Sequence, residues 1–415
     1  MKRIFFFSLL LFSMLKAGTL TLQEAIDATL QNYPDVQSLQ LKMRQSKLSH
    51  RLTVSDYLPQ VNFTGQYNAT QTYVLPVNGS FHTKDDTGWN VGVNLKQKLW
   101  DFGKTAYKID ASKKDEAISK LSLMDFKALL AYKVKSFYEL MVVQREALNV
   151  RKKDLEAKKA YYAQAKALVK QGLKTIADAS RFLSAVYNAE NNLAIAQASF
   201  DKARNSLSLY MGKKIDENVT LANAVLQESF NANADIEKEV LASNYTLKID
   251  NKNIEKNILL HKSAEAEHYG SIDATASYNH FDTLNIYNTI TAGIVINIPL
   301  YSGGGVSTEA QKVEISAQIS KEQKRSRKLA LKEELGNLLL DIKRYNKTIA
   351  AKKAQLYYAQ ETEKVLDGRY KVGIATYIEV LDATSQVLNA KLGLLEAYYS
   401  RALSIDRIQY LKGKI

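Results

Sequence analysis

Residue types that usually carry catalysis or metal binding are scarce or poorly placed in this 415-residue chain. It has no cysteine, which excludes disulfides, thiolate metal sites, catalytic thiols and a lipid-modified cysteine after processing. His50, His82, His261, His268 and His280 share no ligand spacing on a common helix face, so no metal site is expected. Gly303-Gly304-Gly305 lacks the Lys-Ser/Thr that completes a phosphate-cradling loop, and no serine–histidine constellation is present. Neither a cofactor nor an enzymatic activity is therefore expected. What does recur is an acid six positions after a glycine, in Lys170-Gln-Gly-Leu-Lys-Thr-Ile-Ala-Asp178 and in Lys371-Val-Gly-Ile-Ala-Thr-Tyr-Ile-Glu379, with Asp382 following in the second. Carboxylates so placed favour a helix N-terminus by roughly 0.3 to 1 kcal/mol. Where several copies converge they also build a cation-favouring field. Gly172 and Gly373 read either as ordinary helix C-caps or as exposed docking turns with Leu173 and Ile374. Each glycine is followed three residues later by a threonine, Thr175 or Thr376.

These two turns belong to a duplication. Leu99, Gly103, Lys170, Gly172, Thr175, Ser184, Val186, Asn188, Ala189, Leu193 and Gly212 each meet the same residue 201 positions later. Asn32, Tyr33 and Tyr57 meet theirs at 212, so the first half carries 11 extra residues between Tyr57 and Leu99. Each half reads helix, strand, loop, strand, long helix, turn, helix. The expected organisation is repeat 1 over 18–215 and repeat 2 over 216–415, after a signal segment over 1–17. In the first repeat, strands are predicted at about 61–73 and 88–99, and helices at about 34–56, 104–170 and 176–211. The second repeat is predicted to hold strands at about 271–281 and 288–298, and helices at about 244–268, 306–371 and 377–411.

The strand segments alternate with period two. Val61, Phe63, Tyr67, Ala69 and Tyr73 fall opposite Asn62, Thr64, Gln66, Asn68, Thr70 and Thr72. Trp89, Val91, Val93 and Leu95 oppose Asn90, Asn94 and Lys96, and the later segments around Ile272–Tyr278 and Ile290–Ile298 repeat the pattern. All four run about ten residues, the length of a tilted membrane strand. Such alternation also suits a soluble sheet with one face on a core. Aromatics at both ends weigh against that: Trp100, Phe102 and Tyr301 at one, Tyr73, Phe81, Trp89, Phe281 and Tyr287 near the other, as interfacial belts require.

Only four prolines occur, none between Pro76 and Pro299, which suits long uninterrupted helices. Lys104–Lys170 would run roughly 100 Å at 1.5 Å per residue. The first residues, Met1-Lys2-Arg3, then an apolar run from Ile4 to Leu15, then Lys16-Ala17-Gly18, have the layout of a secretory signal peptide. The formal net charge is +14, but Lys and Arg are dispersed among acids on an exported chain. Solvated helix faces explain that better than nucleic-acid binding.

Four strands cannot close a barrel, because single-chain outer-membrane barrels start at about eight. Open edges in hydrocarbon would leave unpaired backbone groups at several kcal/mol (roughly) each, so several copies must share one barrel. The chain resembles the TolC-like family of outer-membrane efflux proteins over essentially its whole mature length. The residues that carry the resemblance are Leu20-Thr-Leu-Gln-Glu-Ala-Ile26 with Asn32-Tyr33-Pro34, Tyr57-Leu-Pro-Gln60, and Arg369-Tyr-Lys-Val-Gly-Ile-Ala-Thr376 through Glu379-Val-Leu-Asp-Ala383. The resemblance implies a mainly α chain with a four-strand membrane β segment, built as two tandem repeats of a long helical hairpin plus a β-hairpin. It further implies a homotrimer with a twelve-stranded barrel in outer-membrane lipid of a Gram-negative bacterium and an α-helical periplasmic tunnel. A periplasmic adaptor (membrane fusion protein) and an inner-membrane transporter would complete the machine.

By the same resemblance Glu379 and Asp382 line a periplasmic entrance, with Asp178 and Tyr370 beside it, and the turns Gly172-Leu173-Thr175 and Gly373-Ile374-Thr376 meet the adaptor. Ala375 departs from the family's best-known member, which has there an arginine that ties the entrance shut. Arg181 replaces the acid expected by analogy with Asp382, so any gating network is wired differently. The competing reading is a periplasmic coiled-coil adaptor or structural surface protein without a channel.

Overall fold

The computed structural model describes residues 19–69, 71–74, 82–85, 87–222, 230, 235–283 and 286–414, with the backbone alone for 71–74 and 82–85. The predicted signal segment 1–17, Phe81 and the side chain of Tyr73 lie outside the described residues. The chain is mainly helical. In order it forms β1 (Thr19–Leu20), α1 (Leu22–Asn32), α2 (Pro34–Ser55), β2 (Gln60–Asn68), β3 (Gln71–Val74), β4 (His82–Asp85), β5 (Gly88–Trp100), α3 (Lys104–Lys170) and α4 (Ile176–Met211). There follow β6 (Thr220–Leu221), α5 (Ile236–Ser243), α6 (Tyr245–Ala266), a 3₁₀ turn (Glu267–Tyr269), β7 (Ser271–Asp282), β8 (Ile286–Asn297), α7 (Gly305–Lys371) and α8 (Tyr377–Leu411).

Two compact units divide these elements. The sheet unit takes Ser38–Met124 and Tyr245–Leu329. Its four-stranded sheet has the order β2-β5-β7-β8, with every neighbouring pair antiparallel. Register sorts the side chains into alternating rows: Phe63, Val93, Tyr278 and Ile290 face one way across the sheet, and Asn62, Asn94, Ser277 and Thr291 the other. The apolar face is not covered, since Phe63 is 72% and Ile290 82% exposed. On the polar face Lys96 reaches Asp273 at 3.6 Å. β2 and β8 are the edges, each with one flank unpaired among the described residues.

One irregularity re-aims Trp100. The β5–β7 ladder shifts register between Lys98 and Trp100, so that Trp100 pairs with Ile272 and joins the apolar face. From Trp89 to Trp100 is roughly 36 Å along a strand; tilted by about 45° this gives about 25 Å, the height of an outer-membrane apolar band. The turn after β5 is fastened by the buried Asp101 carboxylate, which accepts hydrogen bonds from the Thr105 N–H at 2.9 Å and the Thr105 hydroxyl at 2.5 Å.

The turn unit takes the described residues of Met1–Gln37, Asp125–Asn244 and Ala330–Ile415. Thr21 and Glu24 form a capping box that starts α1, with the Thr21 N–H donating to the Glu24 carboxylate at 2.9 Å. The parallel pair β1–β6 is fixed by Tyr138, whose hydroxyl donates to the Leu20 carbonyl at 2.8 Å and accepts from the Ala222 N–H at 3.0 Å. Here the duplication has a physical expression. Asn32 donates to the Met211 carbonyl at 3.0 Å and Asn244 to the Leu411 carbonyl at 3.1 Å, so each repeated asparagine satisfies the last turn of its own repeat's final helix.

Some elements differ from those expected. The predicted strand 61–73 is broken after Asn68, and Gln71–Val74 pairs with β4 in a separate ladder. The pairing Asn68↔Gly88 continues as Gln71↔Asp85 in the same register, so the hairpin resumes beyond the break. The first repeat's extra residues fall in this extension. The helix predicted to 268 stops at Ala266 and tightens into the 3₁₀ turn. The short elements α1, α5, β1 and β6 were not anticipated, because two to eleven residues show too little periodicity.

Candidate functional site at the hairpin turns

In the turn unit both helical hairpins close with one local design. Gly172 and Gly373 adopt left-handed φ values of 71° and 82°. Their N–H groups donate to the Val169 and Tyr370 carbonyls, each at 3.0 Å; the next N–H groups, of Leu173 and Ile374, reach back to Leu168 at 3.0 Å and Arg369 at 2.9 Å. This is the Schellman arrangement, which only glycine enters without strain. In that motif the following apolar residue usually folds onto its own helix. Leu173 and Ile374 instead remain 66% exposed.

Thr175 and Thr376 then open α4 and α8 with identical φ and ψ of −89° and 159°. The Asp178 carboxylate accepts from the Thr175 N–H and hydroxyl at 3.0 and 2.9 Å, and Glu379 from those of Thr376 at 2.7 and 2.8 Å. The Thr376 N–H, assisted by its hydroxyl, holds the Glu379 carboxyl below its ordinary value. Glu379 therefore stays ionised while serving, like Asp178, as a capping-box partner. Asp382 is exposed and accepts from Gln386 at 2.7 Å.

Beneath the turns lies a closed aromatic core of Tyr161, Ala165, Phe182, Tyr370, Ala375 and Val380. Phe182 of α4 meets Tyr370 of α7 at 5.6 Å between ring centres and Tyr377 of α8 at 6.3 Å, so one side chain joins the two hairpins. Tyr370 is fully buried, with no partner for its hydroxyl among the described residues. Burial, reinforced by the Asp178 charge, pushes that hydroxyl's pKa up. Ala375 fills part of this core. Cations gather at the ring faces, with Lys174 5.6 Å from the Tyr370 centroid and Arg181 5.3 Å from that of Tyr377.

A polar layer follows. The buried Lys158 ammonium donates to the Thr384 hydroxyl, tying α3 to α8, and stands 3.9 Å from Asp154. Burial pushes Lys158 down and Glu363 up from their ordinary values. For a carboxyl raised in the fold, the destabilisation is full above its folded pKa and vanishes below the unfolded value. Glu363→Gln should therefore raise the melting temperature at pH 7, by a margin that shrinks as the pH falls toward 4.5. A margin that grows on acidification would contradict this assignment.

Of the residues singled out in the sequence, Tyr370 joins the aromatic core while Glu379 and Asp382 stay at the surface. Phe182, Tyr161 and Lys158 were passed over. Their counterparts 201 positions on are Ala383, Thr362 and Ala359, so a comparison of the halves for identity cannot detect them. In the sheet unit, Trp100 lies 6.3 Å from Phe102, and Phe102 5.5 Å from Tyr269. At the opposite ends of the strands Trp89 meets His280 at 5.2 Å, and Phe281 stacks on Tyr287 at 4.9 Å. Tyr301 is exposed just beyond β8.

Residues 25–213 and 238–414 match a family model described as outer membrane efflux protein. The outer membrane protein TolC of Vibrio cholerae serotype O1 is 21% identical over 386 residues, covering 87% of this chain and 83% of that protein. The cation efflux system protein CusC of Escherichia coli K12 is 23% identical over 398 residues, 91% of this chain and 83% of its own length. A crystal structure of CusC superposes with a TM-score of 0.85 at 19% identity, over 95% of this chain and 92% of that one.

Proposed function

We propose, since this chain belongs to the outer membrane efflux protein family, that three copies close one twelve-stranded barrel and form the outer-membrane duct of a tripartite efflux or type I secretion system. The observation that carries this reading is the four-stranded sheet, with its exposed apolar face, aromatic ends and two open edges, β2 and β8. Joining β8 of one copy to β2 of the next satisfies both edges and leaves none in lipid. Exposed apolar seams support the same contact. Leu41, Leu48 and Leu52 on α2 recur at helical spacing, as do Ile315 and Ile319 on α7.

The turns serve as the docking surface for a periplasmic adaptor working with an inner-membrane pump. Leu173, Ile176, Val372 and Ile374 present an apolar patch there that the turn unit itself leaves uncovered. In the assembled duct Glu379 and Asp382 line the entrance in threefold copies and favour cations. A chain without cysteine carries no lipid anchor on that residue. The rival, a coiled-coil adaptor or surface protein without a channel, has no use for an uncovered apolar sheet face.

Reconstitution in planar bilayers tests the reading. The protein should conduct ions, and Glu379→Ala with Asp382→Ala should move the reversal potential in a salt gradient toward zero. No conductance would reject the channel, and an unmoved reversal potential would reject the acidic entrance.

A further inference from the structure

We propose that an open cavity of about 770 Å³ beside the Trp100 end of the sheet binds the headgroup of a phospholipid bearing a primary amine, a phosphoethanolamine. This rests on the membrane reading above. The cavity lies within the sheet unit, between the start of α3, the end of α6 with its 3₁₀ turn, and the start of α7; its volume is that of an ordinary small-molecule site. Phe102 and Tyr269 form a rim continuous with Trp100 and the apolar sheet face. One side of the rim therefore faces hydrocarbon and the other the headgroup layer.

Phe102 gives the rim a second mark of function. Its φ of 56° is left-handed, the only such non-glycine among the described residues. That conformation is strained for an L-residue. The equivalent position of the second repeat holds Gly303, at φ 61°. The first repeat thus keeps an aromatic where its sister shows that the backbone suits glycine, and strain of this kind collects at ligand sites.

The charges lining the cavity are of both signs. Lys262 makes no ion pair among the described residues, its ammonium lying 5.8 Å from the Tyr107 ring centre, and His268 is exposed in the middle of the 3₁₀ turn. Both can donate to a phosphate. Glu265, 3.5 Å from the His261 ring, and Glu314 supply carboxylates. A lone phosphate would be repelled by the two acids, and a lone amine by the Lys262 ammonium. A headgroup carrying both charges, with its acyl chains toward Phe102 and Trp100, answers all four. Phosphocholine has the same net charge but no N–H to give the carboxylates, so the site should prefer the primary amine.

Native mass spectrometry of the detergent-purified protein, equilibrated with equal amounts of phosphatidylethanolamine, phosphatidylcholine and phosphatidylglycerol, tests this. The wild type should retain phosphatidylethanolamine on the order of tenfold over the other two, the factor of one charge-assisted hydrogen bond. Glu265→Gln with Glu314→Gln should erase that preference while phospholipid is still retained. Lys262→Ala with His268→Ala should lower retention of all three. Equal retention by the wild type, a preference for the anionic lipid, or a preference that neither double variant moves would overturn the proposal. The same spectra report the oligomer. A trimer without lipid preference rejects this site alone, whereas a lipid-free monomer rejects the channel reading and the site with it.

Discussion

Arginine at Ile290 is expected to remove the trimer from membrane preparations, whereas arginine at the next residue, Thr291, is expected to leave it in place. Both positions lie in β8, on the middle rows of the sheet. Ile290 pairs with Tyr278 in the row that includes Val93 and Phe63; Thr291 pairs with Ser277 in the row of Asn94 and Asn62. A cationic side chain on the lipid face of a barrel at mid-depth costs about 2 to 4 kcal/mol, and a lumen position does not incur this. Three copies bring the penalty at 290 to roughly 6 to 12 kcal/mol per trimer, comparable to the whole stability of an ordinary domain. Trimer yield in outer-membrane fractions reads the difference. Equal behaviour of the two variants would show that the two faces have been assigned wrongly.

Phe182→Ala should have the largest effect in the turn unit. The ring is fully buried and contacts Tyr161, Tyr370 and Tyr377, so it touches α3, α7 and α8 at once. Truncating a buried phenylalanine costs about 3 to 5 kcal/mol, from the lost burial together with the cavity left behind. Because the ring is a central link between the two hairpins, the loss should appear as separation of the turns. The expected results are faster proteolysis near Gly172 and Gly373 and a larger single-channel conductance. Unchanged conductance together with a lowered melting temperature would make Phe182 a packing residue with no part in closing the entrance.

How legible the fold was in the sequence depended on the length of each signal. A 67-residue helix without proline and strands of a dozen alternating residues outweigh local ambiguity, and the ends of α3 and β5 lie where period and turn glycines place them. The break after Asn68 leaves no such trace, since Gln71–Val74 continues the alternation while pairing in a different ladder. The turn acids were visible from their spacing, yet their capping-box contacts follow from the threonines three residues before them. Tyr370 was visible as an aromatic at a turn, but its burial depends on Phe182 and Tyr161, which are distant in sequence. Pattern along the chain reports one element at a time; the aromatic core and the Lys158–Thr384 contact join elements more than 180 residues apart.

The central claim is that β8 of one copy pairs with β2 of another. The natural chain has no cysteine, so introduced pairs report without background. Thr64→Cys in β2, combined in turn with Thr289→Cys, Thr291→Cys and Gly293→Cys in β8, scans the register along the polar face. After mild oxidation in outer-membrane vesicles, the account predicts that one combination gives covalent dimers and trimers on a denaturing gel, while the single-cysteine variants give no trimer. Monomers from every combination, in protein shown to be folded, would contradict a barrel shared between copies.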